Sequence, residues 1–101
     1  MLTLEDCIAL SELTEEEILV IASHESIPEI AAVELGNYLV RSIDGEWVIK
    51  AMIRDDITHA AAGGNREREL TLKLVLRNYI CSHPRCDARQ RAQLHIPERR
   101  A

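Results

Sequence analysis

The sequence contains no phenylalanine, and aromatic residues make up only 3% of its 101 positions. Trp47 is the single tryptophan. A core of this composition has to be built from Ile, Leu, Val and Ala side chains, which suits helices that pack on helices. The hydrophobic fraction of 47% is ordinary for a globular protein, and the length is that of one domain. We therefore expect a single compact all-α domain.

Cysteine is also scarce, with three residues (Cys7, Cys81 and Cys86) at spacings unlike those of disulfide-rich proteins. Glu5 and Asp6 stand where a signal peptide would need positive charge. No apolar run approaches the length that spans a bilayer. These features predict a reduced, cytoplasmic protein that makes no membrane contact.

Positive charge is rare in the first two thirds of the chain. Residues 1–64 contain three basic residues (Arg41, Lys50 and Arg54) against thirteen acidic ones, whereas residues 65–101 contain nine basic against four acidic. The two parts carry −10 and +5, which gives the net charge of −5. Either the two parts attract each other within the fold, or the basic end binds a polyanion. We favour the first interpretation, because runs of charge usually form solvated faces.

Capping residues and hydrophobic periodicity predict five helices within residues 2–83. Thr3 with Asp6, and Thr14 with Glu17, have the spacing of a capping box at the start of the first two helices. The third helix, over 27–41, has Pro28 at its first position and is apolar around most of its circumference. A helix this apolar must be covered by its neighbours, so we expect it at the centre of the bundle.

The remaining helices are predicted from turn signals. Asp44 and Gly45 indicate a turn, after which a helical period runs over 46–62. Gly63 and Gly64 end that helix, and Asn65 is a good N-cap for the fifth.

Two further expectations concern packing and the end of the domain. Gly36 lies in mid-helix, which predicts the close approach of another helix, the fourth or the fifth. Leu70 and Leu74 are expected beside the apolar set of the fifth helix. A proline at position 84 stops that helix, so residues 1–84 are predicted to form the helical domain and 85–101 a loosely ordered basic tail.

Two short motifs carry a family resemblance. The run Leu-Thr-Glu-Glu-Glu occupies positions 13–17, and Ile-Pro-Glu forms a corner at 27–29. With them the chain resembles a family of small, uncharacterised bacterial all-helical proteins over residues 1–84. The resemblance implies the all-helical fold and brings no activity with it.

One cluster of residues has metal-ligand chemistry. Cys81, His83 and Cys86, with His95 beyond, offer two thiols and two imidazoles that could form a tetrahedral zinc site. The spacing differs from that of standard zinc motifs, which pair two tight ligand pairs. The alternative is a buried Cys81 followed by an exposed segment that ends the helix.

A second group of polar residues gathers at the corner between the second and third helices, where His24, Glu25 and Glu29 lie close in sequence. Asp56 and His59 share one face of the fourth helix, but a di-iron bundle would need a second such pair and two more carboxylates. We interpret these residues as polar positions at helix ends. The corner, together with Glu15 and Glu16, is our candidate interaction surface.

Several activities lack the residues that they need. A helix-turn-helix interpretation fails because Glu29 and Glu34 on the third helix would repel phosphates, which argues against nucleic acid as a partner. Gly63 and Gly64 are not followed by the Lys and Ser/Thr of a phosphate-binding loop. No cysteine or serine has an assignable base, so neither catalysis nor a cofactor is expected.

The class that remains is binding. We expect a small cytosolic adaptor or regulatory domain that contacts another protein through the acidic face of helices one, two and four. The alternatives are a metal-binding protein using the Cys81, His83 and Cys86 cluster, and a nucleic-acid or polyanion binder acting through the basic tail. Homo-oligomer formation is left open.

Overall fold

The structure, a computed structural model, describes residues 3–86 of the chain. Five helices follow one another, and a short 3-10 turn follows them: α1 (Leu4–Leu10), α2 (Glu15–Glu25), α3 (Glu29–Leu39), α4 (Ile43–Ala62), α5 (Arg66–Ser82) and the turn Pro84–Cys86. This part of the chain contains no strand, so the predicted all-α class is confirmed. None of its helices has both the length and the apolar character needed to cross a membrane.

The predicted helix starts are confirmed by their hydrogen bonds. The amide of Asp6 donates to Thr3 Oγ1 over 3.1 Å, and the amide of Glu17 donates to Thr14 Oγ1 over 3.2 Å. In both cases the carboxylate accepts in return from the threonine amide, which completes the capping box. Asn65 caps α5 through its side-chain oxygen. At α3 the boundary differs slightly, since Pro28 is the N-cap and the helix begins at Glu29.

The centre of the bundle is α4, and our expectation that the third helix would be the central one was wrong. α4 packs against α2, α3, α5 and the turn at Pro84–Cys86, and it buries Ile49 and Ile53 completely. α3 packs against α1, α2 and α4 but leaves Tyr38 71% exposed and Ile30 about half exposed. Length is one reason: α4 has 20 residues and α3 has 11, so α4 offers its neighbours a longer surface to pack against.

The predicted turn at Asp44-Gly45 is a second correction. The Ser42 hydroxyl accepts a hydrogen bond from the Gly45 amide over 3.0 Å, which caps α4 and starts it at Ile43. Gly45 is therefore helical and buried, and a β-carbon there would overlap the backbone carbonyl of Leu39. The glycine permits the end of α3 to lie against the start of α4.

Gly36 is buried as predicted, but its neighbours differ from those expected. A β-carbon on Gly36 would overlap Leu13 Cδ1 and lie 3.3 Å from Ile21 Cδ1. The close approach therefore comes from α2 and the segment before it, and not from α4 or α5. The cause is again the position of α3 at the side of the bundle, where α2 is a direct neighbour.

The aromatic side chains Tyr79 and Trp47 differ in burial. Tyr79 is fully buried, whereas Trp47 lies near the surface with Lys50 Nζ 4.4 Å from its ring centroid. The leucines expected beside the apolar face of α5 are also at the surface: Leu74 is 60% exposed and Leu70 about half exposed. Both lie on the side of α5 opposite the residues that face the core.

Candidate functional site

Two imidazoles approach one carboxylate where the end of α2 meets the middle of α4. His24 Nε2 lies 3.2 Å from Asp55 Oδ2, and His59 Nε2 lies 3.8 Å from Asp55 Oδ1. His24 belongs to the last turn of α2, while Asp55 and His59 are one turn apart on α4. The three side chains reach solvent, so the arrangement is open to a ligand.

Asp56 provides a second carboxylate beside this array. Its side chain is only 14% exposed, and Oδ2 is buried without a hydrogen-bond partner in the described chain. Arg68 Nη2 is 4.0 Å from that oxygen, beyond hydrogen-bond distance, so it contributes charge alone. Burial raises the pKa of Asp56, although the nearby His24 and Arg68 act in the opposite direction. One ligand atom each from His24, Asp55 and Asp56 lies within 4.8 Å of the others.

A cleft of about 320 Å³ opens next to these groups. It is lined by residues of α2, α4, α5 and the connection between the last two: Ser23, Asp56, His59, Ala60, Gly63, Asn65 and Arg68. The left-handed backbone of Gly64, with φ of 73°, allows the chain to turn sharply from α4 into α5 beside the cleft.

The sequence pointed to parts of this site without joining them. His24 was assigned to a corner with Glu25 and Glu29, and Asp56 and His59 to one face of α4. The structure keeps Glu25 near His24, with 3.8 Å between Oε1 and Nδ1, and brings His24 across to α4. Asp55 is exposed on the outward face of α4, and only the crossing of α2 over α4 brings His24 to it.

The other predicted interaction residues lie on the surface. Glu15 and Glu16 are exposed in the first turn of α2, and Glu29 is half-buried at the start of α3. Within residues 3–86 neither Glu15 nor Glu16 forms an ion pair with a basic side chain. Their charges are therefore available to a partner.

The predicted Cys/His metal cluster is not assembled in the described chain. Cys81 is exposed, contrary to the expected burial, whereas His83 and Cys86 are buried. The His83 ring stacks on Tyr79 with 4.5 Å between centroids, and His83 Nδ1 lies 3.2 Å from the Tyr79 carbonyl oxygen. These three candidates do not form a group of converging ligand atoms, and His95 lies outside the described residues.

The end of the domain contains a buried ion pair that was not predicted from the sequence. Glu46 is 2% exposed and pairs with Arg85, and Lys50 Nζ donates to the Cys86 carbonyl over 2.8 Å. Cys86 itself is fully buried, so the packed chain runs two residues past the boundary predicted at 84. The sequence does contain a sign of this pair. Glu46 falls on the same helical face as Ile49, and a carboxylate buried on that face needs a cation beside it.

Glu17 is the second buried carboxylate. Thr14 N donates to Glu17 Oε1 over 2.8 Å, so the residue that completes the predicted capping box also enters the core. Burial raises the pKa of Glu17, while the hydrogen bonds from Thr14 and the nearby His83 act to lower it. Glu17 therefore serves the fold and is closed to ligands.

Comparison of the chain with models of known protein families, with curated proteins and with solved structures finds no match.

Proposed function

We propose that this chain is a small cytosolic protein-binding domain, of the adaptor or regulatory kind, whose N-terminal helices bind a basic segment of another protein. The observation that carries the proposal is a one-sided charge distribution. Residues 1–40 contain nine carboxylates and no lysine or arginine. In the structure only one of these nine, Glu17, is buried.

The charge of this region is not balanced from elsewhere in the described chain. Within residues 3–86, every ion pair that involves lysine or arginine lies in α4, α5 or the turn after α5. Within residues 3–86, the carboxylates of α1, α2 and α3 therefore present negative charge that no lysine or arginine pairs with. Such charge attracts basic partners and raises their association rate.

The outer face of α3 adds apolar anchors to this charge. Ile30, Glu34 and Tyr38 follow one another at four-residue spacing, so they form one exposed stripe. Aromatic side chains that stand out at a surface are typical binding anchors, and charged groups around them set specificity. The partner that suits this surface is a basic segment with apolar residues, such as a basic amphipathic helix.

The cysteines support the proposed compartment. Cys7 and Cys81 are free thiols, and Cys81 is exposed. A free exposed thiol is typical of a reducing environment. The proposal concerns binding and assigns no catalytic step.

Selection from a random peptide library displayed on phage tests the proposal, with the full chain as bait. We expect selected peptides to be enriched in Lys and Arg and to contain an apolar anchor. Their binding should weaken at high salt, because the attraction depends on charge. It should be lost in the double variant Glu15→Lys/Glu16→Lys and reduced in Tyr38→Ala.

The matched control is Glu67→Lys, which reverses an exposed charge on α5, outside the proposed surface. It should bind the selected peptides like the wild-type protein. The proposal is wrong if selection shows no basic enrichment, or if Glu67→Lys and the α2 double variant reduce binding equally.

A further inference from the structure

The geometry points to a second ligand at the junction of α2 and α4: a divalent transition-metal ion of the zinc type, bound by His24, Asp55 and Asp56. Imidazole nitrogen and carboxylate oxygen together form a ligand set that zinc accepts. The harder ions Mg²⁺ and Ca²⁺ prefer oxygen alone, so the histidine favours the transition metal. This site is independent of the proposed partner-binding function.

The spacing of the ligand atoms fits such an ion after small side-chain rotations. Zinc lies about 2.0–2.2 Å from nitrogen and oxygen ligands, which places ligand atoms of a tetrahedral site about 3.4 Å apart. His24 Nε2 and Asp55 Oδ2 are already 3.2 Å apart, and the Asp56 carboxylate completes a group within 4.8 Å. His59 Nε2 is 3.8 Å from the other Asp55 oxygen, but it lies outside the group of three converging ligand atoms.

Asp56 supplies an independent reason for a cation at this place. Its Oδ2 atom is buried and has no hydrogen-bond donor within the described residues. A buried carboxylate oxygen without a donor is unfavourable, and native structures rarely leave one in that state. A metal ion bound to Asp56 would provide the missing partner.

A carboxylate also lies near the other ring nitrogen of His24. His24 Nδ1 lies 3.8 Å from Glu25 Oε1, so the imidazole has a carboxylate on the side away from Asp55. Metal-bound histidines commonly donate their other ring N–H to such a carboxylate, which fixes the orientation of the ring. At 3.8 Å the two atoms are beyond hydrogen-bond distance, so Glu25 would position His24 only after a small side-chain rotation.

The positive charge of Arg68 lies near the Asp56 carboxylate, so it would compete with a bound metal ion for that carboxylate. The Arg68 side chain is half exposed and 4.0 Å from Asp56 Oδ2, so it can turn into solvent when an ion binds. Removing its charge should therefore strengthen metal binding, whereas removing a ligand should weaken it.

Calorimetric titration of ZnCl₂ into the chelator-treated full chain tests the site. We expect one equivalent of zinc to bind, no comparable heat with MgCl₂, and at least about a tenfold rise in Kd for His24→Gln and for Asp55→Asn. Arg68→Gln should bind more tightly than wild type. Cys81→Ser, which alters the other candidate cluster, and Glu16→Gln, which removes a distant carboxylate charge, should leave Kd unchanged.

A second measurement needs no substitution. Paramagnetic Co²⁺ added to the ¹⁵N-labelled chain should broaden amide signals around His24 and over 55–59, without the thiolate-to-cobalt absorption band that cysteine ligation gives. The assignment is overturned if zinc does not bind, if His24→Gln and Asp55→Asn bind it like wild type, or if broadening centres on 81–86.

Discussion

The phenol of Tyr79 donates a hydrogen bond over 2.8 Å to the backbone carbonyl of Glu46, inside the bundle. The bond joins the last turns of α5 to the first turn of α4. Burial raises the pKa of Tyr79 far above its usual range, so the phenol keeps the proton that it donates. Next to it the Glu46 carboxylate pairs with Arg85, which brings the turn after α5 into the packed domain.

Arg85→Ala should destabilise the fold by about 1–3 kcal/mol, because it leaves the Glu46 carboxylate buried without its cation. The expected loss is smaller than for a fully buried pair, since the Arg85 side chain is 38% exposed. Urea denaturation measures the effect, with the exposed Arg77→Ala as control.

The double variant Arg85→Ala/Glu46→Gln should regain part of the lost stability, since it removes the unpaired charge. Equal midpoints for Arg85→Ala and wild type would mean that the pair contributes nothing. A chain that ends at 84 lacks both Arg85 and Cys86, so we expect it to be less stable than one that ends at 86.

Gly45→Ala should destabilise the protein by about 2 kcal/mol or more, because the new methyl group meets the Leu39 backbone, which cannot move without shifting a helix end. Gly63→Ala is the matched control. Gly63 has ordinary helical angles, and a β-carbon there makes only normal contacts, the nearest at 3.4 Å from the His59 carbonyl oxygen. We expect that control to be neutral or slightly stabilising. Thermal melts of the two variants compare them directly, and a stable Gly45→Ala protein would contradict the close approach.

Features set by near neighbours in sequence could be predicted, and features set by helix crossing could not. The caps at Thr3, Thr14 and Asn65 each depend on a partner three residues away, so local rules were sufficient. The contact between His24 and Asp55 spans 31 positions and depends on how α2 crosses α4. Hydrophobic periodicity shows which face of its helix a residue occupies, but it does not show which other helix packs against that face.

Two local sequence rules conflict at Gly45, and the predicted turn was wrong. Asp44-Gly45 is a turn signal, but Ser42 is also a good N-cap three residues before Gly45. The chain follows the N-cap rule: Ser42 caps α4, and the helix begins at Ile43, so it includes Asp44 and Gly45 in its first turn. The same limit applies to the candidate site: Asp56 and His59 were predicted to share one face of their helix, but Asp55 was not among the predicted site residues.

Glu17→Gln should change how stability depends on pH. Because burial raises the pKa of Glu17 above its ordinary value of 4.5, its contribution to stability is fully present below pH 4.5 and declines as pH rises through the folded-state pKa. Glutamine stays neutral and can still accept the Thr14 hydrogen bond, so that part of the decline should disappear. Urea midpoints measured from pH 4 to pH 8 test this, with the exposed Glu34→Gln as control. Parallel profiles for Glu17→Gln and wild type would contradict it.

Leu72 and Leu74 distinguish the two faces of α5. Leu72 is buried against the core, so Leu72→Ala should destabilise by about 2–5 kcal/mol through lost contacts and a cavity. Leu74 is 60% exposed, so Leu74→Ala should change the free energy of unfolding by no more than about 0.5 kcal/mol. The two substitutions are chemically identical and two positions apart, which makes each the control for the other in urea denaturation. A large loss for Leu74→Ala would contradict its position at the surface and would show that the outer face of α5 is covered.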